Sequence, residues 1–365
     1  MAGEQKKRQK RINNFLYLGL VLLAAFYLLA IFAEFLAPYP YQQQVRGEPS
    51  APLSTLHFRD SAGKFHAAPF IYTMRLTDPL TMNYAEDITT PYRLEFLAHG
   101  SSYKFLGVFS SDLHLFGVTN SNLPEMPRLR LLGSDELGRD RFSRLAYAVR
   151  FSLIVSPIGT ILACVLGVFI GVVSGYAPKI LDTILMGAAD TMLSLPTLIL
   201  ILAARAAFPL ELPMTSAALL LIVIFALTGW AEIARLARGL VVSMREREFV
   251  LAAKASGLTQ PRILFRHIFP NIAAPLITQA TLMFPAFLLA EVALSFLGVG
   301  LQEPDPSLGN MLTAAGDLTR LQSQPFLLLS PAIIIFIFVF AIRLVSNGLK
   351  NEKSACKSNP NPADA

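Results

Sequence analysis

Four of the chain's five histidines, His57, His66, His99 and His114, fall between Pro38 and Arg150. Imidazole is a common metal ligand, but zinc sites use fixed local spacings such as HExxH, and none occurs here, so surface histidines and no metal are expected. Asp135, Glu136, Arg139 and Asp140 bring acids and bases together as an acid–base site would; a charged interfacial helix making local ion pairs explains them more simply. Gly63-Lys64 is followed by Phe65 rather than Ser or Thr, without the glycine spacing that cradles phosphate, so no nucleotide site is expected. Cys164 lies in an apolar run and Cys356 in the polar tail, leaving neither a disulfide framework nor a CxxC pair. Reactive side chains are present without a catalytic arrangement, and no enzyme activity or cofactor is expected.

The elements that carry these residues are unusual. The chain has 365 residues, 53% hydrophobic and 15% charged, with a mean hydropathy of +0.50, too apolar for an ordinary soluble domain. Lys and Arg (31) exceed Asp and Glu (25), but they fall between apolar blocks and build no aromatic-interleaved patch, so nucleic acid is not the partner. Crossing a bilayer in a helix takes about 20 apolar residues. Six stretches qualify: Phe15–Leu36, Phe151–Val173, Ile180–Ala204, Ser216–Ala234, Ala273–Leu297 and Phe326–Val345. The basic leader Lys6, Lys7, Arg8, Lys10, Arg11 resembles a signal peptide, yet the apolar run behind it is too long and no small-x-small site follows, so it reads as a retained anchor.

Basic residues beside a span stay cytoplasmic. They collect in the N-terminal tail, between the fourth and fifth spans (Arg235, Arg238, Arg245, Arg247, Lys254, Arg262, Arg266) and in the tail with Lys350, Lys353 and Lys357. Both termini are therefore expected in the cytoplasm and Pro38–Arg150 outside. Asp182 and Asp190 burden the third stretch, since an Asp at a helix centre costs about 2.5–3.5 kcal/mol on insertion. Asp182 is expected near the cytoplasmic boundary, Asp190 facing other helices, and Pro196 is expected to kink this helix. Glu291 in the fifth stretch is a candidate pathway residue or a structural hydrogen-bonding group. Gly167, Gly171 and Gly175 form a small-xxx-small stripe for close helix packing, or simply reflect the frequency of glycine in membrane helices.

The outer segment has strand-like runs at Lys104–Phe109 and Leu113–Val118, with turn formers Ser110, Ser111 and Asp112 between them, and is expected to form a small β-containing lobe that meets a binding protein or shields an outer mouth. The inner loop Arg238–Asn271 predicts two short helices joined at an elbow. Met244–Ser256 is the first, Gly257 stops it, Thr259 and Pro261 start the second, and that one ends before Pro270. Ala252, Ala253 and Ala255 supply a smooth face, and Arg245, Arg247 and Arg262 supply charge for a partner groove. The same pattern also fits an amphipathic pair lying on lipid headgroups.

The stretch AAKASGLTQPRILFRHIFPN is similar to the EAA-loop signature of bacterial ABC importer permeases, whose helix docks into a nucleotide-binding subunit. From Leu132 to Leu349 the chain resembles the second permease subunit of the dipeptide/oligopeptide/nickel group, through GSDELGRDRFSRL (Gly133–Leu145), REREFV (Arg245–Val250), EVALSFLGVG (Glu291–Gly300) and PSLGNML (Pro306–Leu312). It departs at Leu251, where the loop's name expects Glu, at Leu308, where the family often has Trp, in lacking an acidic residue over Ser346–Lys350, and in a longer outer insertion.

The resemblance implies an all-α polytopic protein of six spans with an outer β-containing insertion, multi-pass in a bacterial inner membrane. It implies half of an ATP-driven importer's pathway, most simply for peptides, with nickel or another small solute as the alternative. A homologous permease, two ATP-binding subunits and an outer binding protein would be its partners. The expected organisation is a cytoplasmic tail (1–14), first span (15–36), outer insertion (37–131), permease domain (132–349) with coupling loop 238–271, and cytoplasmic tail (350–365). The coupling residues would be Arg245, Arg247, Ala252, Ala253, Ala255, Gly257, Pro261, Arg262 and Pro270. A secondary transporter or channel would also have six spans but would not require the Ala-rich elbow.

Overall fold

The computed structural model describes residues 2–60, 63–79, 81–105, 107–118 and 127–358. Five helices are long and apolar enough to cross a membrane: α1 (Ala2–Ile31), α3 (Arg141–Tyr176), α6 (Met214–Arg245), the continuous run Gln260–Phe296, and α12 (Pro325–Ser358). A bent pair, α4 (Lys179–Ser194) and α5 (Thr197–Ala206), makes a sixth candidate when it is counted as one span.

The kink expected at Pro196 is a full break, since the two halves meet at 89°. Proline pushes its predecessor out of the helical region, and Leu195 is extended at φ −96°, ψ 138° with Pro196 at φ −58°, ψ 121°. Other predicted spans are shorter than the helices found. The second begins at Arg141, and the fourth runs on to Arg245. The first breaks at Phe32, after which Ala33–Leu36 form a separate turn, α2.

The described residues fall into two compact units. One takes the chain up to Leu23, Leu153–Gly300 and the chain from Ile337. Here α6 is the axis, with Leu221, Phe225, Ile233, Ala237 and Val241 fully buried. α3 lies against it through glycines: a Cβ on Gly167 would stand 2.6 Å from the Trp230 carbonyl oxygen, one on Gly171 2.7 Å from Ala237 Cβ, and one on Gly175 2.8 Å from Val241 Cγ1. On another side α9 (Phe269–Phe296) stacks Phe287 on Phe225 at 4.6 Å between ring centroids.

The other unit takes Ala24–Ser152 and Leu301–Phe336. Its strands β1 (His57–Arg59), β2 (Phe65–Asp78), β3 (Asn83–Phe105) and β4 (Phe109–Val118) form an antiparallel meander in sequence order. Ile71, Val118 and Leu129 are its buried centre, with Tyr92, Leu94 and Phe116 packed against them. Ser110, Ser111 and Asp112 do not make the turn but pair within β4; the β3–β4 reversal uses Gly107 at φ +77°, which glycine adopts without steric cost. His114 is buried rather than at the surface, its Nε2 2.9 Å from the Ser101 carbonyl oxygen. Among the described residues no group of acids, histidines and cysteines is placed to hold a metal.

The expected interfacial helix over Asp135–Asp140 is absent. A tight loop stands there, with Gly133 and Gly138 at φ +66° and +73° and a bridge between Ser134 and Asp140. A Cβ on Gly138 would run into the Val45 backbone, so the chain enters α3 through a turn that only glycine fits.

The helix order and the basic loops predict that a reporter fused after Lys64 reads as outside and one after Lys353 as cytoplasmic. The opposite reading at either position would break the six-span order.

Candidate coupling site and its ionic supports

The inner loop is hung directly between two spans. α6 ends at Arg245, Glu246 and Arg247 turn the chain, and α7 (Glu248–Ala255) follows. α7 closes in a Schellman arrangement: Leu258 N–H donates to the Ala253 carbonyl at 3.2 Å, Gly257 N–H to the Lys254 carbonyl at 3.0 Å, and Gly257 sits at φ +77°. Thr259, extended at φ −69°, ψ 149°, then begins α8 (Gln260–Ile263) with Pro261 in its first turn. An elbow at Gly257 was expected; the second arm differs. It does not end before Pro270 but passes through a π-turn, Leu264–Ile268, into α9, with Pro270 directly after the π-turn inside a continuous run.

The elbow's exposed surface comprises Arg247, Ala252, Ala255, Gly257, Pro261 and Arg262, with Phe249 (43% exposed) and Leu251 (50%) beside them. Pro270 is exposed on α9. Two expected members are elsewhere. Ala253 is turned inward with Val250, so the smooth face is narrower than three alanines. Arg245 does not project: it donates to the Gly175 carbonyl and lies 5.0 Å over the Tyr176 ring. The exposed Phe249 and Leu251 escaped the sequence reading because apolar residues on a short amphipathic helix look like its buried face.

Above the elbow, ionic bonds hold α4 to α6. Arg238 grips Asp182 through Nε at 2.9 Å and Nη2 at 2.6 Å, and Ser174 donates to the same carboxylate. Asp182 thus stands in the first turn of α4, where a carboxylate also suits the helix dipole. Asp190 pairs with Arg235 at 3.3 Å, both more than half exposed, so it meets only α6 in this chain. Glu291 is wholly buried, accepting from Ser295 Oγ at 3.2 Å one turn along α9. Arg205, fully buried, was missed: its Nη atoms donate to Pro209 and Leu210 carbonyls at 3.0 and 3.1 Å, closing the outer end of the bent pair. Its signal was a lone arginine at the edge of an apolar run.

An apolar cleft of about 660 Å³ runs between α3 and α9, lined by residues such as Val168, Phe169, Phe265 and Ile277. It has no polar side chain with which to hold a hydrophilic solute. The polar cavity of about 340 Å³ lies in the outer unit, where Arg139 bonds Asp135 at 2.6 Å and Glu303 at 2.5 Å, and Arg144 bonds Glu303 at 2.7 Å. Burial pulls the Arg139 guanidinium down, but Asp135 and Glu303 outweigh it and hold it above its ordinary value. Burial raises the Asp140 carboxyl against the opposing bonds from Ser143.

A helical membrane unit with a helical elbow hung between spans is a form that transport subunits take. Residues 167–351 match the family described as binding-protein-dependent transport system inner membrane component, and the chain belongs to it. Residues 11–52 also match the N-terminal TM domain of oligopeptide transport permease C. The chain is thus a multi-pass inner-membrane permease subunit of an ABC importer, a family whose ATPase is a separate subunit. It is similar to the dipeptide transport system permease protein DppC of Alkalihalophilus pseudofirmus, 37% identical over 219 residues, which are 60% of this chain and 69% of that one. The di/tripeptide transport system permease protein DppC of Pseudomonas aeruginosa is 35% identical over 221 residues (60% and 70%). The oligopeptide transport system permease protein OppC of Bacillus subtilis is 33% identical over 219 (60% and 69%).

The packing predicts a contrast between glycines. Gly171→Leu places a side chain where Ala234, Ala237 and Arg238 already stand, whereas Gly187 in α4 has nothing within 4 Å. Gly171→Leu should lose most of its folded yield and thermal stability in detergent, and Gly187→Leu should keep both. Equal behaviour would deny the α3–α6 seam its role.

Proposed function

We propose that this chain forms half of the translocation pathway of a peptide importer, paired with a homologous permease, and that separate ATPase subunits dock on loop 238–271. The peptide assignment is supported by the names of the three relatives, which are di-, tri- and oligopeptide permeases. The observation that carries the coupling role is the exposed Schellman elbow at Gly257, whose two arms lead straight into the spans α6 and α9. In this scheme residues 1–14 and 350–365 are cytoplasmic tails, 37–131 lies outside, and 132–349 is the permease domain. ATP binding closes the ATPases, the docked elbow moves, and the bundle passes from inward- to outward-facing. This is a two-state element biased by a ligand bound on another chain.

At the elbow Arg247, Ala252, Ala255, Gly257, Pro261 and Arg262 form the docking surface, with Phe249 and Leu251 adding apolar area that suits a protein groove. Arg245 and Ala253 support the surface from within. Asp182 and Arg238 fix the seam above it, and Asp190, more than half exposed, faces the partner permease.

The test is Gly257. A Cβ there meets nothing within 4 Å of its own chain, so added bulk is felt by a partner and not by the fold. The strain of φ +77° is separate: a left-handed conformation costs a non-glycine residue about 1–2 kcal/mol, and asparagine tolerates it best. Gly257→Val should reach the membrane at wild-type levels yet lose ATPase copurification or uncouple hydrolysis from uptake. Gly257→Asn keeps the elbow and adds bulk, so it should be impaired as well, to a lesser degree. Normal ATPase binding, hydrolysis and uptake in both variants would return the elbow to a helix pair resting on lipid.

A further inference from the structure

The β3–β4 hairpin carries two strongly exposed apolar side chains side by side at its tip, apart from Phe96 (78% exposed) in the body of β3. Val108 is 73% and Phe109 71% exposed, next to the Gly107 turn. Water disfavours such a pair on an isolated loop, and the place to which the tip reaches supplies the alternative. Phe105, directly opposite Phe109 in the strand register, packs its ring 5.6 Å from that of Phe32. Phe32 is the residue at which the first span ends, between α1 and α2. α2 itself is fixed at the top of α3, since Glu34 accepts from the Arg150 guanidinium, which also donates to the Ala30 and Ile31 carbonyls.

Residues paired across a strand ladder share a face, so Phe109 lies on the side of the hairpin that meets the end of α1. The apolar surface there is continuous: Leu28 is 55% exposed, Ile31 42% and Phe32 41%, and only 11% of the apolar window of α1 is buried. The tip therefore prolongs the lipid-facing side of α1 at the level where that helix leaves the hydrocarbon. Lys104 stands beside this pair as the tip's one described charge. Its long apolar stem lets the ammonium reach headgroup phosphates while neighbouring rings sit deeper.

We propose that the tip of the β3–β4 hairpin is a membrane anchor, with Val108 and Phe109 inserted into the outer leaflet beside the end of the first span. The anchor holds the outer lobe down on the bilayer, so the lobe is fastened both by its covalent links to α1 and α3 and by lipid. The proposal does not depend on what the importer carries.

Site-directed spin labelling tests it on the full chain in liposomes of phosphatidylethanolamine and phosphatidylglycerol. Cys164→Ala and Cys356→Ser provide the background. Nitroxides are placed through Phe109→Cys, with Val108→Cys as an independent reporter of the tip. Ile88→Cys serves as the control, an apolar residue 56% exposed toward the far end of β3. At 108 and 109, collisions with oxygen should exceed those with a water-soluble nickel chelate, and at 88 the order should reverse. Water-like accessibility at both tip positions would overturn the anchor. So would shielding of both from oxygen and nickel alike, in the chain alone or with its sister permease bound, since that pattern means a protein covers the tip. None of these readings involves transport or ATP, so failure here is distinct from failure of the peptide-importer reading.

Discussion

The membrane unit depends on how closely α3 can approach α6. Hydrocarbon offers no hydrophobic drive between helices, so association rests on dispersion and on polar groups that find partners across the seam. Gly167, Gly171 and Gly175 supply the first by leaving only hydrogen atoms between the α3 backbone and Trp230, Ala234 and Val241. The second gathers at the end of the same seam nearest the elbow. Arg245 of α6 donates to the carbonyl of Gly175, the last glycine of the stripe, and Arg238, two turns earlier on α6, binds Asp182 and so brings in α4. Glycines set the distance, and the arginines close its lower edge. The elbow begins two residues beyond Arg245, so whatever moves it pulls on a fastened end.

The other unit solves a different problem, since segments distant in sequence must be held against one another. Charge does this work. Arg139 and Arg144 are nearly buried and share Glu303, and Arg130, equally buried, takes Glu48. A buried pair contributes little net stability against an apolar replacement, but removing one partner is costly, so such pairs favour one arrangement of loops over others. Gly133 and Gly138 permit that arrangement by bringing Ala51 and Val45 against the backbone of the turn.

Much of this was legible in the sequence, and the failures have physical causes. Apolar length disclosed the spans, and the Gly-Leu-Thr-Gln-Pro run disclosed the elbow, because a helix stop and a helix start leave local signatures. Helix ends did not show, since α6 continues below its apolar part on the strength of intramolecular bonds by Arg238 and Arg245 that hydropathy does not count. Pro196 was read as a kink; its effect on Leu195, added to its own missing amide, produced a corner. The charges of Asp135–Asp140 resembled a helical surface, and only the contacts with Val45 and Glu303, distant in sequence, make them a loop. Ser110–Asp112 looked like a turn by composition, yet pairing with Tyr103 and Lys104 in β3 outweighed local preference.

The π-turn at Leu264–Ile268 gives the second arm of the elbow its mechanical meaning. Had that helix stopped before Pro270, a flexible joint would separate the docking surface from the membrane. Instead α8, the π-turn and α9 form one run of 37 residues from Gln260 to Phe296, which joins the elbow without a loop to Phe287, stacked on α6, and to Glu291, buried beyond it. π-Turns are single-turn bulges inside α-helices and are frequent at functional sites. The first arm is coupled more loosely, through the two-residue turn Glu246–Arg247, but α6 is tied to α3 and α4 at that level. Under the proposed docking, an elbow with one continuous arm and one hinged arm on a clamped helix would turn a push on the elbow into relative motion of α9 against α6, the kind of rearrangement a pathway between helices requires.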